Sequence, residues 1–196
     1  MLKQVSLIAA GLLCAIPLAA QSRPSAEGPG ISVWVGASIS TFNPDYGCTN
    51  NSPVACWGGQ LLGIAPYAHT NPFLFQRIGA ESQARFLRWH GPGSMTQQSY
   101  MAGPRFYLFH YKKLMMSGKF LLGAARLTLP PTAYGAGTYF AYAPGAAAEY
   151  RVARRVAVRV DYEYQIWPTF KGFQTGSGHG GLTPNGLSLG VSYAVR

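Results

Sequence analysis

Residues 155–167 read RVAVRVDYEYQIW, and along this stretch charge and apolar bulk occupy alternate positions. A period of two sends successive side chains to opposite faces of a strand. Arg159, Asp161, Glu163 and Gln165 therefore share one face, and Val156, Val158, Val160, Tyr162, Tyr164 and Ile166 share the other. The whole chain holds only 6 acidic residues, so two on one strand face is a heavy local use of a scarce residue type. Such a strand fits only a sheet with one ionic and one apolar face.

The same period recurs from residue 31 to the end, and no amphipathic helix pattern interrupts it. It predicts strands near 31–42, 60–68, 76–89, 99–111, 119–128, 139–151, 155–167 and 186–195. The connections 43–59, 90–98, 129–138 and 168–185 are long and rich in Gly, Pro, Asn, Ser and Thr, while 69–75, 112–118 and 152–154 are shorter. Alternating long and short connections between segments of about ten residues are the pattern of an antiparallel transmembrane barrel. The expectation is an all-β, eight-stranded antiparallel up-and-down transmembrane β-barrel with both termini periplasmic. Pro66, Pro104 and Pro144 fall inside predicted strands and should mark bulges or bends, since each lacks a ladder donor.

Alternation alone does not say which face points inward, and composition decides it. Charged residues make up 11% of the chain and apolar and aromatic ones 48%, against about 25% charged in a soluble domain. A water-facing exterior would need more charge. Four of the six acids, Glu81, Glu149, Asp161 and Glu163, sit mid-strand, and Arg85, Arg105, Arg126 and Arg159 share the strands or faces with them. Guanidinium and carboxylate suit paired burial, and an isolated buried charge is too costly to keep. These eight residues are expected to form a barrel-interior charge network, with the apolar face on lipid. The alternative is a soluble periplasmic lipocalin-like barrel binding an apolar ligand, which reverses the two faces.

The first residues, Met1–Leu2–Lys3 followed by an apolar run to Leu18 and then Ala19–Ala20, have the form of a secretory signal peptide. The domain expectation is a signal peptide over 1–20, a short lead over 21–30 and the barrel over 31–196. Export sets nucleic acid aside as a partner, so the formal charge of +10 reads as attraction to anionic lipid headgroups. In an oxidising compartment Cys48 and Cys56, both in the first long loop, are expected to form a disulfide. His69, His90, His110 and His179 have no metal-ligand spacing. Gly176–Gly181 lacks the Lys–Ser/Thr of a phosphate loop, and no nucleophile–base pair stands on a strand. No catalytic, metal or cofactor site is expected. Phe42, Tyr67, Trp89, Tyr111, Tyr139, Tyr150, Trp167 and Tyr193 lie near strand ends, as interfacial girdle residues do.

Tyr139-Phe-Ala-Tyr-Ala-Pro-Gly145, Glu149-Tyr-Arg151, Asp161-Tyr-Glu-Tyr-Gln165 with Trp167-Pro168, and Leu182-Thr-Pro-Asn-Gly-Leu-Ser-Leu-Gly-Val-Ser-Tyr193 resemble the bacterial outer-membrane-protein beta-barrel family. Its members are small barrels similar to the membrane domain of outer membrane protein A, found in Gram-negative bacteria. The resemblance implies insertion into the outer membrane, contact with its lipid and lipopolysaccharide, and delivery by the outer-membrane assembly machinery, which reads the C-terminal strand. The family usually ends in Phe or Tyr and this chain in Val195–Arg196. That departure implies less efficient assembly or recognition through Tyr193 and Val195. The family carries no fixed active site. The functional expectation is a structural or surface-interaction role with at most weak pore formation, and the surface partner stays open.

Overall fold

The structure, a computed structural model, describes residues 31–45, 60–75, 77–89, 95–128, 136–170 and 181–195. The segments 1–20 and 21–30, and the cysteines Cys48 and Cys56, lie outside the described residues. Eight strands follow in order: β1 (Val33–Asn43), β2 (Leu61–Thr70), β3 (Ile78–Arg88), β4 (Thr96–Tyr111), β5 (Leu114–Thr128), β6 (Gly137–Ala153), β7 (Val156–Tyr164) and β8 (Asn185–Ala194). Each pairs antiparallel with its chain neighbours. β1 also pairs with β8, from Trp34–Ala194 to Asn43–Asn185, which closes the barrel. No strand edge is left for water or another chain to pair with, and a β-structure in hydrocarbon requires this.

Most strand limits shift by one to three residues from the expected ones and the start of β5 by five, and two of these shifts have a plain local reason. β5 begins at Leu114 rather than 119 because Lys112 adopts φ 53°, so two residues suffice to reverse the chain. β7 ends at Tyr164 rather than 167 because of Pro144 on the neighbouring strand. Pairing of β6 with β7 stops at Gly145–Glu163, and resumes as a single bridge at Tyr142–Ile166. Pro66 and Pro104 act alike. The β2–β3 ladder skips from Ile64–Phe86 to Tyr67–Gln83, and the β4–β5 ladder from Ala102–Leu122 to Arg105–Lys119. Register is unchanged across every gap, so each proline interrupts one ladder without the expected bulge. The irregularities that do occur lie elsewhere, at Tyr107–Phe109 and Arg151–Ala153.

The outer surface is an apolar belt. Ile39, Leu189 and Val160 are register partners on three adjacent strands and stay 71%, 60% and 48% exposed. The bore is filled in two parts. Toward the long-loop end Met95, Leu121, Leu127, Trp167, Phe170 and Leu182 form one buried apolar cluster, and Phe42, Leu61 and Leu87 a second. Trp89 packs against both. Part of the expected girdle therefore turns inward: Phe42, Tyr67 and Trp167 are buried, while Tyr111, Tyr150 and Tyr193 stay exposed. Near a strand end either face accepts an aromatic ring, so position along the strand does not determine direction.

The belt predicts a depth-dependent response to charge. Leu189→Arg should lower stability in a lipid bilayer by about 2–4 kcal/mol, the cost of a cation on the lipid face at mid-depth. Urea unfolding followed by tryptophan fluorescence in vesicles measures it, and an unchanged midpoint would place Leu189 in water.

Candidate functional site

Below the apolar layers the bore is ionic. β3, β4, β5, β6 and β7 project Glu81, Arg85, Arg105, Lys119, Glu149, Arg159, Asp161 and Glu163 inward, and all are at most 4% exposed. Four carboxylates thus face four cations. The arrangement is neutral as a whole, the condition under which charge can be kept away from water.

Glu163 is its most heavily used acceptor. Arg85 Nη1 donates to its Oε1 at 2.5 Å and Nη2 to its Oε2 at 3.3 Å, a two-point guanidinium–carboxylate pair. Gln83 Nε2 and Lys119 Nζ donate to Oε2 at 3.0 and 2.9 Å, and Gln165 Nε2 to Oε1 at 2.8 Å. Lys119 also reaches the Asp161 carboxylate at 2.9 Å and Glu81 Oε1 at 3.3 Å. Its three ammonium donors, matched by three carboxylates from β3 and β7, make it the hub. Arg159 Nη2 donates to Glu81 Oε1 at 2.6 Å and Asp161 Oδ2 at 2.5 Å. Arg105 links Glu81, at 3.4 Å, to Glu149, at 3.0 Å. The flat faces of three guanidiniums lie against aromatic rings. Arg85 lies 4.1 Å from the Phe42 ring centroid, Arg159 4.6 Å from Tyr67 and Arg105 5.1 Å from Tyr107.

One expected member does not join. Arg126 is exposed on the outer face. Leu121, Ala125 and Leu127 point inward on the same strand, so alternation turns Arg126 out. It lies two residues before the end of β5 at Thr128, where a long side chain can carry its charge to the headgroup layer.

Two contributors were not anticipated. Lys119 is the first residue of the strand expected over 119–128, and a charged residue at a strand boundary reads as part of the turn. Its parity with Leu121 and Ala125 would have revealed it. His69, 3% exposed, faces Glu149 Oε2 across 3.6 Å; it falls just past the strand expected to end at residue 68, whereas β2 runs on to Thr70. Room for the hub comes from Gly145, the register partner of Lys119. A Cβ there would lie 2.8 Å from Lys119 Cε and 2.7 Å from the Tyr162 carbonyl oxygen.

An interior packed with mutually paired groups can hold a barrel in one register and obstruct its bore. Among the described residues no cluster of three or more His, Cys, Asp or Glu could hold a metal ion, and the acids that might serve as bases accept from fixed cations instead. The charged interior and apolar exterior are the reverse of a soluble ligand-binding barrel.

Comparison with known proteins gives the same architecture. The sequence matches the outer membrane protein beta-barrel domain family over residues 6–194. No curated protein matches it. Among solved structures, Neisserial surface protein A superposes with a TM-score of 0.57 at 13% identity, over 85% of this chain and 99% of that one. The outer membrane protein OprG from Pseudomonas aeruginosa gives 0.54 at 10% identity, over 84% and 96%. At such identities the likeness is one of fold.

The network should respond to loss of a single charge more than to loss of a pair. Glu163→Gln leaves Arg85 and Lys119 short of a counter-charge and should destabilise by about 3–5 kcal/mol. The double change Arg85→Met with Glu163→Leu should cost less than the single one. Asp161→Ala should behave like Glu163→Gln, and Gly145→Ala should destabilise by displacing Lys119. Urea midpoints in micelles measure all four, and a wild-type midpoint for Glu163→Gln would show that the charges are not confined in a dry interior.

Proposed function

The chain belongs to the outer membrane protein beta-barrel domain family and is an integral barrel of the outer membrane, and from this premise we propose that its role is structural or surface-interactive rather than catalytic. The neutral plug of four carboxylates and four cations carries the reading. An eight-stranded barrel has an interior about wide enough for side chains to fill, and here paired charges and apolar clusters occupy it. Solute flow should be slight. The four interior acids hold hydrogen bonds or ion pairs with neighbouring cations, which leaves none poised as a base.

Several further assignments accompany this reading. Both barrel ends of the chain lie beside the short connections, the arrangement of a barrel whose termini face the periplasm. Residues 1–20 would serve as the signal peptide, and Cys48 and Cys56 as a disulfide stabilising the first long loop. The outward belt would contact outer-membrane lipid and lipopolysaccharide. Tyr193 and Val195, 47% and 59% exposed at the end of β8, are available to the assembly machinery. The long loops would carry whatever surface contact the protein makes.

Fractionation tests the reading. The protein should sediment with outer membranes, run as a faster band that shifts on boiling, and give only small, infrequent conductance steps in planar bilayers. A large steady conductance, or altered lipid A in overproducing cells, would replace the structural role with transport or catalysis.

A further inference from the structure

The short-turn end of the barrel has a charge balance unlike the rest. Among the described residues, four of the five acids belong to the interior network. The fifth, Asp45, lies at the opposite end, where it accepts from Thr183. The short-turn end holds Arg77, Lys112, Lys113, Arg151, Arg154 and Arg155 with no acid among them. Because the network cancels itself, no acid among the described residues offsets these cations.

Inside this rim the bore opens into a cavity of about 470 Å³, within the range of about 300–1,000 Å³ typical of small-molecule sites. Its lining divides by chemistry. Trp34, Tyr107, Phe109 and Met115 give apolar wall, and Arg77 and Arg151 give positive charge. Neither arginine makes an ion pair among the described residues. The Arg151 guanidinium lies 5.6 Å from the Trp34 ring centroid, so the indole steadies the cation by its face and leaves its N–H edges to donate. Trp34 in turn stacks on His69 with 3° between the planes and 6.2 Å between centroids. The Tyr107 hydroxyl donates to the Thr70 carbonyl oxygen, which ties that wall to β2. The aromatic walls are thus held in place with two unpaired guanidiniums beside them.

We propose that this vestibule is a binding site for a small organic anion. Its oxyanion head, carboxylate or phosphate, is held by Arg77 and Arg151, and its flat or apolar body lies along Trp34 and Tyr107. If the short-turn end faces the periplasm, as inferred above, the anion comes either from a soluble periplasmic compound or from a lipid headgroup at the rim. Both sources offer the same oxyanion to the same arginines.

Isothermal titration of the folded protein in phosphatidylcholine nanodiscs, against empty nanodiscs, tests the site with 1-naphthyl phosphate, inorganic phosphate and 1-naphthol. Naphthyl phosphate should bind more tightly than either of the others, because it alone supplies both head and body. Arg77→Gln with Arg151→Gln should weaken it about tenfold or more, as loss of charge-assisted hydrogen bonds does, whereas Lys112→Gln with Lys113→Gln should leave it unchanged. Arg77→Gln alone, at an exposed turn residue, keeps the test available should the double variant lose its heat-dependent band shift. Adding phosphatidylglycerol separates the sources: competition with the probe identifies a headgroup, and undiminished binding a soluble compound. Wild-type affinity in the arginine variants, naphthol binding as tightly as naphthyl phosphate, or no binding of naphthyl phosphate at all would overturn the proposal.

Discussion

Closure of the hydrogen-bonded ladder between β1 and β8 is the constraint on which everything else depends. Hydrocarbon offers no partner to a backbone amide or carbonyl, so an open edge in lipid would leave several kcal/mol unmet at each group. Once the edge is closed, every residue has only two directions. Outward side chains meet lipid, and inward ones meet each other in a space that eight strands make just wide enough to fill. Sequence periodicity becomes a division between two solvents.

The bore is not filled uniformly. Aromatic and aliphatic groups close it toward the long loops. Gln97 and Gln165 come next, their side chains linked at 3.5 Å, then the ionic layer, then His69 with Tyr67 and Tyr107, and last the basic vestibule. The ionic residues come from β3 to β7, and β8 and β1 give the opposite wall small side chains: Ser188, Gly190 and Ser192, with Gly36, Ser38 and Ser40. A Cβ at Gly36 would lie 2.6 Å from the Tyr67 ring, and Tyr67 lies in turn over Arg159. Small residues on one wall make room for long ones on the other.

Why the filling is ionic is a question of specificity more than of strength. Paired buried charges are often no more stabilising than apolar side chains of equal volume. They do, however, penalise error. A one-residue slip of β7 would turn Arg159, Asp161 and Glu163 to the lipid, at roughly 2.5–3.5 kcal/mol for each charge at mid-depth. An all-apolar bore would lose far less from the same slip. The network therefore makes the observed register far better than its neighbours, which matters for a chain whose outer face is greasy in any register.

The same reasoning explains what could be read from the sequence and what could not. The strand count and barrel class were legible because the period of two recurs along the chain, and the inward direction of Asp161 and Glu163 because β7 alternates strictly between charged and apolar positions from Val158 to Tyr164. Arg126 was misread because β5 is apolar on both faces at that end, Leu121 and Leu127 inward with Leu122 outward. Where both sides are greasy, hydropathy carries no direction, and only counting from a fixed neighbour recovers it. Lys119 is hidden differently, as the first residue of the predicted fifth strand, at a boundary where a charged residue reads as part of the turn. A lysine is tolerable inside when three carboxylates converge on its ammonium, and those come from strands far away in sequence. Electroneutrality is then a property of the closed barrel rather than of any segment. It follows that the formal charge of +10 arises wholly outside the plug, since four cations and four acids cancel within it. The surplus is carried by loops, rim and termini, and at the short-turn rim it faces no described acid.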